Sequence, residues 1–177
     1  MTTEPTPPPA DGKDWTWVLS TPCPACGFDA AAIIGADIAD VIDDCTGRIA
    51  AALEHPNAAV RTDPAVWSVL EYGCHVRDVC LIFDERVHLM LDDDDPRFVN
   101  WDQDETAITE RYWAQDPATV RAELVAAGAH AAATFRAVRR EQWSRPGRRS
   151  NGSVFTVDSL GRYFAHDLVH HVHDVGA

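Results

Sequence analysis

The sequence has no apolar run approaching the roughly 20 residues that a membrane-spanning helix needs. Basic residues are scarce: 15 Lys and Arg stand against 28 Asp and Glu, and the formal net charge is -13. Nucleic acids and anionic membranes attract basic surfaces, so neither is an expected partner. Residues 1–10 are polar and Pro-rich and lack the apolar core of a secretion signal, so a cytoplasmic location is expected.

Convincing strand patterns are also missing, because no segment alternates apolar and polar residues in the way of a half-buried strand. Residues 1–14 contain several prolines and no apolar periodicity, which predicts a disordered or loosely packed tail. The remaining residues, 15–177, are numerous enough for one domain with its own core.

Apolar stripes and capping signals predict four helices in this domain. The first covers residues 29–53, and the second covers residues 63–91 and opens at an Asp-Pro pair. The third opens at a similar pair and covers residues 116–140, and the last begins near Thr156 or Asp158. Four such helices without strands predict an all-α fold, an up-and-down four-helix bundle.

Histidines on two of these helices have the spacing of metal ligands. His166 and His170 are four residues apart, so on a helix they point the same way. His75 lies among apolar residues in the middle of the second helix, and bundle cores build metal sites from facing helices. The prediction is a divalent metal site formed by His75, His166 and His170; zinc is favoured, and Ni²⁺ or Fe²⁺ also fits. The alternative is three core histidines with hydrogen-bond partners and no metal.

Neighbouring residues are interpreted from their positions around the helix. His171 is rotated by about 100° from His170, and His173 lies a turn further along, so both are expected outside the ligand set. Asp167 is interpreted as a solvent-facing residue. Glu71 and Asp78 each lie about one turn from His75 and are expected to orient its ring.

Two further segments are candidates for substrate binding. Residues 97–109 form a long polar and aromatic connection that includes Trp101, and such loops often line binding sites. Arg148 and Arg149 belong to an Arg-rich segment that could hold an anionic ligand, and Tyr163 shares the helix stripe of the histidine pair. The alternative is a surface loop anchored by Trp101 and arginines paired with surface carboxylates.

The five cysteines divide into two groups. Cys23 and Cys26 form a C-x-x-C motif that could hold zinc, but a closed site needs four ligands and no second pair follows at zinc-ribbon spacing. The alternative is a turn before the first helix. Cys45, Cys74 and Cys80 fall in helical patterns, which predicts buried, reduced thiols.

Several strings resemble the DinB-like superfamily of four-helix metalloproteins, in particular its actinobacterial branch. They are residues 67–72 (WSVLEY), 100–104 (NWDQD) and 166–171 (HDLVHH), and the likeness extends over roughly residues 29–174. The hallmark of that superfamily is one histidine on the second helix and an H-x-x-x-H pair on the last. The corresponding residues here are His75, His166 and His170.

This resemblance implies a metal-dependent thiol enzyme, since relatives include mycothiol-dependent maleylpyruvate isomerase and mycothiol or bacillithiol S-transferases. The isomerase branch has a glutamate as its second ligand, so His166 is closer to the transferase pattern. The expected partners are a low-molecular-weight thiol such as mycothiol and an electrophilic substrate, and DinB-like bundles are often homodimers. The alternatives are a metallohydrolase that uses metal-bound hydroxide and a non-catalytic metal-binding bundle.

Overall fold

The computed structural model describes residues 5–9, 12 and 14–177. These residues form five α-helices: α1 (Ile38–Ala52), α2 (Val69–Asp92), α3 (Gln103–Thr109), α4 (Pro117–Ala137) and α5 (Val157–Val175). They also form three strands: β1 (Arg97–Phe98), β2 (Pro146–Arg149) and β3 (Val154–Thr156). Short 3₁₀ segments lie at Trp15–Leu19, Ala30–Ala32, Gly35–Asp37, Tyr112–Ala114 and Arg140–Gln142.

Helices α1, α2, α4 and α5 pack around one hydrophobic core. Both α1 and α2 pack mainly on α4 and α5 and have few contacts with each other, so these two consecutive helices lie diagonally across the bundle. Ile42, Leu70, Leu124 and Leu168, one from each helix, are fully buried. Removing a side chain of this size from water contributes about 1.5–3 kcal/mol. The predicted all-α four-helix bundle is confirmed.

Helix α2 begins later than predicted. Ser68 is its N-cap, since Ser68 Oγ accepts a hydrogen bond from the Glu71 N–H at 3.3 Å, and Glu71 Oε2 accepts one from the Ser68 N–H at 2.8 Å. This reciprocal arrangement is a capping box. Asp63, the predicted cap, instead accepts a hydrogen bond from the Ala65 N–H at 2.8 Å and closes a separate turn.

The predicted first helix is also shorter in the structure. It was expected to begin at Asp29, but two 3₁₀ turns occupy Ala30–Ala32 and Gly35–Asp37, and α1 begins at Ile38. The side chains of Asp29 and Asp37 each accept a hydrogen bond from a backbone N–H two or three residues away. Such local bonds compete with a continuous helix.

The other two helix starts agree with the sequence. Asp116 caps α4, because its Oδ2 accepts a hydrogen bond from the Thr119 N–H at 2.9 Å. Thr156 caps α5, because its Oγ1 accepts one from the Ser159 N–H at 3.1 Å. Both termini follow the usual preference for short polar side chains at the N-cap.

A small sheet replaces two segments that were expected to be irregular. Strand β1 pairs in parallel with β2, and β2 pairs in antiparallel fashion with β3. Gly147 of β2 lies so close to the bundle that a Cβ atom there would be 2.5 Å from Phe98 and 2.7 Å from Met90. Strands of two to four residues are too short to show a period-two pattern.

The remaining predictions about the chain ends and thiols have mixed outcomes. Residues 1–4, 10, 11 and 13 of the predicted tail lie outside the described residues, while Thr6 O accepts a hydrogen bond from Arg61 Nη1 at 2.7 Å. Cys45, Cys74 and Cys80 are buried and free, as predicted. Among the described residues, no helix has the length and hydrophobicity to cross a membrane.

Candidate metal centre

Two helices bring together three side chains of the types that can bind a metal. One ligand-capable atom from each of His75 (α2), Asp167 and His171 (α5) lies within 4.8 Å of the other two. Asp167 Oδ1 lies 3.6 Å from His75 Nε2 and 3.4 Å from His171 Nε2. Zinc bonds of about 2.0–2.1 Å at tetrahedral angles place neighbouring donor atoms about 3.3–3.4 Å apart. These three residues, the α2–α5 cluster, therefore have nearly the spacing that a tetrahedral cation requires.

Aromatic rings enclose His75, whose side chain is 1% exposed. The ring of Trp101 stacks on it at 5.6 Å between centroids, the ring of Trp67 lies at 5.4 Å, and that of His171 lies at 4.7 Å and nearly perpendicular. Burial lowers the pKa of His75, so the ring is neutral at pH 7, which is the protonation state of a metal ligand.

The carboxylate of Asp167 is ionised and incompletely satisfied. Burial raises its pKa, but the neighbouring rings of His171 and His75 outweigh that effect and hold the pKa at about 2. Within the described part of the chain, Asp167 Oδ1 and His75 Nδ1 are buried atoms without a hydrogen-bond partner. Buried polar atoms rarely lack partners, and a cation in the cluster would satisfy the carboxylate oxygen.

A second carboxylate orients His171. Asp174 Oδ2 lies 2.9 Å from His171 Nδ1, which leaves Nε2 of the same ring facing Asp167. Metal-binding histidines usually donate their other N–H to a carboxylate or a carbonyl, which fixes the tautomer and raises the basicity of the ligating nitrogen. The contact therefore prepares His171 to ligate through Nε2.

A cavity of about 560 Å³ opens beside the α2–α5 cluster, and both Asp167 and His171 reach its surface. Sites for small molecules typically have volumes of about 300–1,000 Å³. Five aromatic side chains line much of the wall: Trp15, Trp67, Tyr72, Trp101 and Tyr163. The cavity can therefore hold a small ligand next to the candidate metal position.

A family comparison fits this geometry. Residues 46–175 match the family model of the DinB superfamily, and this span includes the whole α2–α5 cluster. The chain belongs to the DinB superfamily. The resemblance noted in the sequence is thus confirmed.

One solved structure has a similar fold. It is that of YfiT from Bacillus subtilis, with a TM-score of 0.69 and 18% identity, and the match covers 78% of this chain and 82% of YfiT. YfiT is described as a probable metal-dependent hydrolase with an unusual four-helix bundle topology. A comparison with curated proteins found no match.

Within this DinB bundle, the predicted ligand set is divided between two places. His75 was predicted to share a cation with His166 and His170, but it faces Asp167 and His171 instead. The physical reason is the rotation of α5. Asp167 and His171 each follow a predicted ligand by one residue, which corresponds to about 100° around the helix, and it is their face that meets α2. Asp167 was expected to face solvent, but its Oδ1 is directed at both histidine rings. The ligand set itself stays a prediction.

His166 and His170 lie with two cysteines on the neighbouring face of α5. One ligand-capable atom from each of Cys23, Cys26, His166 and His170 lies within 4.8 Å of the other three. These four residues are the cysteine–histidine cluster. Burial, followed by the charge of the neighbouring His170, lowers the pKa of His166 to about 4, so this ring is also neutral at pH 7.

The residues predicted to orient His75 have other roles. Glu71 caps α2 and forms an ion pair with Arg61, and Asp78 accepts hydrogen bonds from Arg77 Nε at 2.8 Å and from the Tyr112 hydroxyl. Neither carboxylate is therefore directed at the ring of His75. Glu71 and Asp78 do lie about one helical turn from His75, but both side chains bond to residues outside the α2–α5 cluster.

Three of the four predicted substrate-binding residues line the cavity: Trp101, Arg149 and Tyr163. Arg148 does not line it and instead pairs with Asp95, with 2.7 Å between Nε and Oδ2. Successive side chains of a strand point to opposite faces, so the two adjacent arginines of β2 are directed differently.

Proposed function

We propose that the chain is a metal-dependent enzyme in which the α2–α5 cluster holds a divalent cation and activates a low-molecular-weight thiol of the mycothiol type. The thiol then attacks an electrophilic substrate bound in the adjacent cavity. One observation carries the proposal: Asp167 Oδ1 lies 3.6 Å from His75 Nε2 and 3.4 Å from His171 Nε2, beside a cavity of about 560 Å³. Three protein ligands leave a coordination position for a reactant.

The donor set suits zinc, and it also suits other divalent metals. Two imidazoles and one carboxylate bind Zn²⁺ in many catalytic sites, and the same set binds Fe²⁺ in non-haem enzymes, while imidazole also suits Ni²⁺. The acidic side chains of the cavity wall, which include Asp102, Asp104 and Asp174, favour a cation there. Zinc is the metal we propose.

A divalent cation would favour the ionised form of a bound thiol, which is the nucleophilic form. The thiol would release its proton to solvent on binding, and in transfer the sulfur lone pair would then form a carbon–sulfur bond while the leaving group departs with its bonding electrons. The aromatic wall would exclude water from this step, and Arg149 beside the Tyr163 hydroxyl would bind an anionic part of the thiol or the substrate.

Asp167 changes the comparison with DinB relatives. With His166 as the second ligand, the chain would follow the transferase pattern, whereas Asp167 supplies the carboxylate that is typical of the isomerase branch. The α2–α5 cluster therefore supports isomerisation at least as well as transfer. In either case, the first chemical event is attack by the same activated thiol.

A metallohydrolase is the second candidate. Two histidines and a carboxylate hold the catalytic zinc of several hydrolytic enzymes, where the bound water ionises near pH 7. The description of YfiT as a probable metal-dependent hydrolase points the same way. A hydrolase would cleave an ester or amide without added thiol, and its rate would rise as the pH approaches neutrality.

The test is metal analysis followed by a thiol-dependence screen with a mycothiol-class thiol and a haloaryl electrophile. Wild-type protein should conjugate the thiol, metal stripping should abolish the activity, and His171→Ala should reduce it at least 100-fold. His55→Ala is the matched control, because His55 is exposed on a turn outside the cavity lining. Full activity after metal stripping would overturn the proposal. Ester cleavage that needs no thiol would favour the hydrolase.

A non-catalytic metal-binding bundle predicts no turnover in either screen. The cytoplasmic location and the homodimer expected from the sequence both stay predictions. Size-exclusion chromatography with light scattering would test the dimer.

A further inference from the structure

The C-x-x-C motif lacks a second cysteine pair in the sequence, but the fold supplies two imidazoles in its place. Cys23 and Cys26 lie on the segment before α1, and His166 and His170 lie one turn apart on α5. About 140 residues separate the two pairs along the chain. Only the folded bundle brings these four side chains together.

The distance between donor atoms fits a tetrahedral metal. Cys23 Sγ lies 3.7 Å from His170 Nδ1. Zinc bonds of about 2.3 Å to sulfur and 2.0–2.1 Å to nitrogen, at tetrahedral angles, separate these two donor types by about 3.5–3.6 Å. The observed separation therefore needs only a small adjustment to accommodate the ion.

The backbone around the motif holds both thiols on one side of a tight turn. Gly27 N–H donates to Cys23 O at 2.8 Å, and Cys23 N–H donates to Phe28 O at 2.8 Å. Gly27 has φ of +76°, a left-handed conformation that glycine adopts without a steric cost. Burial raises the pKa of Cys23, but N–H groups of Cys26 and Ala25 donate to its sulfur and outweigh burial, so this pKa is lowered. Burial raises the pKa of Cys26 to about 11.

Burial makes the cluster costly without a ligand. Cys23 is 2% exposed and His166 is 4% exposed, and Phe28 packs edge-on against the His166 ring. Within the described residues, His166 Nε2 is buried and has no hydrogen-bond partner. A buried polar atom without a partner destabilises the fold, and coordination of a metal by the cluster is one way to recover that loss.

We propose that Cys23, Cys26, His166 and His170 form a second metal site, which holds Zn²⁺ through four protein ligands. Two thiolates and two imidazoles are a typical donor set of structural zinc and are poor ligands for Mg²⁺ or Ca²⁺. Because all four positions are filled by the protein, this ion is structural and does not bind the reactants.

The second site ties the N-terminal segment to α5. His166 and His170 alternate along α5 with Asp167 and His171, so the ion fixes the rotation of the helix that presents two of the three ligands of the α2–α5 cluster. Trp15, whose ring lies 5.6 Å from His166 and 5.1 Å from His170, is held against the cavity by the same connection. The two clusters share no ligand, so either site could exist without the other.

Zinc content of the full-length protein, purified without a histidine tag, tests the proposal. A third group, Asp84, His88 and His130, has two exposed histidines that could bind metal weakly. The reference protein and all variants therefore carry His88→Ala and His130→Ala. The expected content is about two zinc ions per chain, falling to about one in Cys23→Ser/Cys26→Ser. Cys45→Ala is the matched control and should keep both ions.

Cobalt substitution identifies the ligands directly. Co²⁺-loaded protein should show a thiolate-to-cobalt charge-transfer band that disappears in Cys23→Ser/Cys26→Ser. The band should persist in His75→Ala, which removes a ligand of the α2–α5 cluster alone, so failure of the two proposals can be told apart. His170→Cys raises the number of thiolate ligands from two to three, and it should intensify the band.

Stability provides a readout if the double serine variant folds poorly. Chelation should lower the Tm of His75→Ala by at least several degrees, because the structural site remains in that variant. The proposal would be overturned by a folded protein with no thiolate charge-transfer band. It would equally be overturned by a Cys23–Cys26 disulfide in freshly isolated, zinc-free protein.

Discussion

Asp174 holds His171 through a contact of 2.9 Å between its Oδ2 and the ring Nδ1, while its Oδ1 lies 3.8 Å from Nε2 of His170. One carboxylate thus faces a histidine of each cluster. In His171 it contacts Nδ1 while Nε2 faces Asp167, and in His170 it lies nearest Nε2 while Nδ1 faces Cys23. Asp174 therefore orients His171 by a hydrogen bond and acts on His170 only through its charge.

Asp174→Asn should weaken metal binding without removing a ligand. Loss of a carboxylate that orients a ligating histidine typically reduces metal affinity about 10–100-fold. The reduction should be larger at the α2–α5 cluster, because the contact with His171 is the shorter one. Competition with a chromophoric zinc chelator measures it. Asp44→Asn is the control, because Asp44 is exposed and pairs with Arg48. Equal zinc affinities of the Asp174→Asn and Asp44→Asn variants would contradict the role of Asp174 in orienting His171.

Arg149→Gln and Arg148→Gln form a matched pair of adjacent substitutions. Arg149 lines the cavity, whereas Arg148 pairs with Asp95 away from it. A hydrogen bond to a charged group contributes about 1.5–3 kcal/mol, so Arg149→Gln should raise KM for an anionic thiol about tenfold or more. Arg148→Gln should leave KM nearly unchanged. Steady-state kinetics at varied thiol concentration decides the matter, and equal KM values would remove Arg149 from the binding site.

The sequence identified the bundle and the importance of α5, but the rotation of α5 could not be read from it. His166 with His170, and Asp167 with His171, have the same spacing of four residues, so both pairs are equally compatible with a helical metal site. Which pair faces His75 depends on how α5 packs on α1 and α2. This packing depends on side chains throughout the hydrophobic core, so no short motif in the sequence predicts it.

Contacts between distant residues explain the other differences. The segment of Cys23 and Cys26 supplies only two of the four candidate ligands, and the other two, His166 and His170, are found only once this segment packs on α5. Glu71 was assigned to His75 by its position on the helix, but its partner Arg61 precedes the helix altogether. Periodicity predicts the face on which a residue lies, whereas its partner is set by tertiary structure.

Glu71→Gln should destabilise the fold at neutral pH. The side chain of Glu71 is 2% exposed and that of Arg61 is 12% exposed, so removing the carboxylate leaves a largely buried guanidinium with neutral acceptors alone. Breaking a buried pair in this way costs about 3–5 kcal/mol. Urea unfolding at pH 7 measures the loss. Glu54→Gln, at an exposed residue paired with Arg121, is the control and should cost less than about 1 kcal/mol.

The same pair predicts a pH dependence with a defined sign. Burial raises the pKa of Glu71, but the hydrogen bonds from Arg61 and Ser68 outweigh it, and the folded-state pKa is lowered. The stabilisation is therefore fully present above the unfolded-state pKa of about 4.3 and is lost as the pH falls through the lower folded-state value. The stability difference between wild type and Glu71→Gln should shrink over that range. A constant difference would contradict the ion-pair assignment.

Gly161→Ala tests the packing that sets the position of α5. A Cβ atom at this glycine would lie 2.5 Å from Ile38 Cδ1 and 2.7 Å from Phe135 Cε1, so α5 would be pushed away from α1 and α4. Overpacking of this kind costs about 1–3 kcal/mol, which exceeds the gain of about 1 kcal/mol from replacing glycine in a helix. Thermal unfolding should show a lower Tm.

Gly47→Ala is the matched substitution for this test, because a Cβ atom there would meet nothing within 4 Å, and helix propensity alone should raise stability by about 0.5–1 kcal/mol. Opposite signs for the two variants are the expected result. If Gly161→Ala stabilised the protein as Gly47→Ala does, α5 could not lie against Ile38 and Phe135 as described. The rotation that directs Asp167 and His171 toward His75 would then lose its structural basis, because the same close packing sets both.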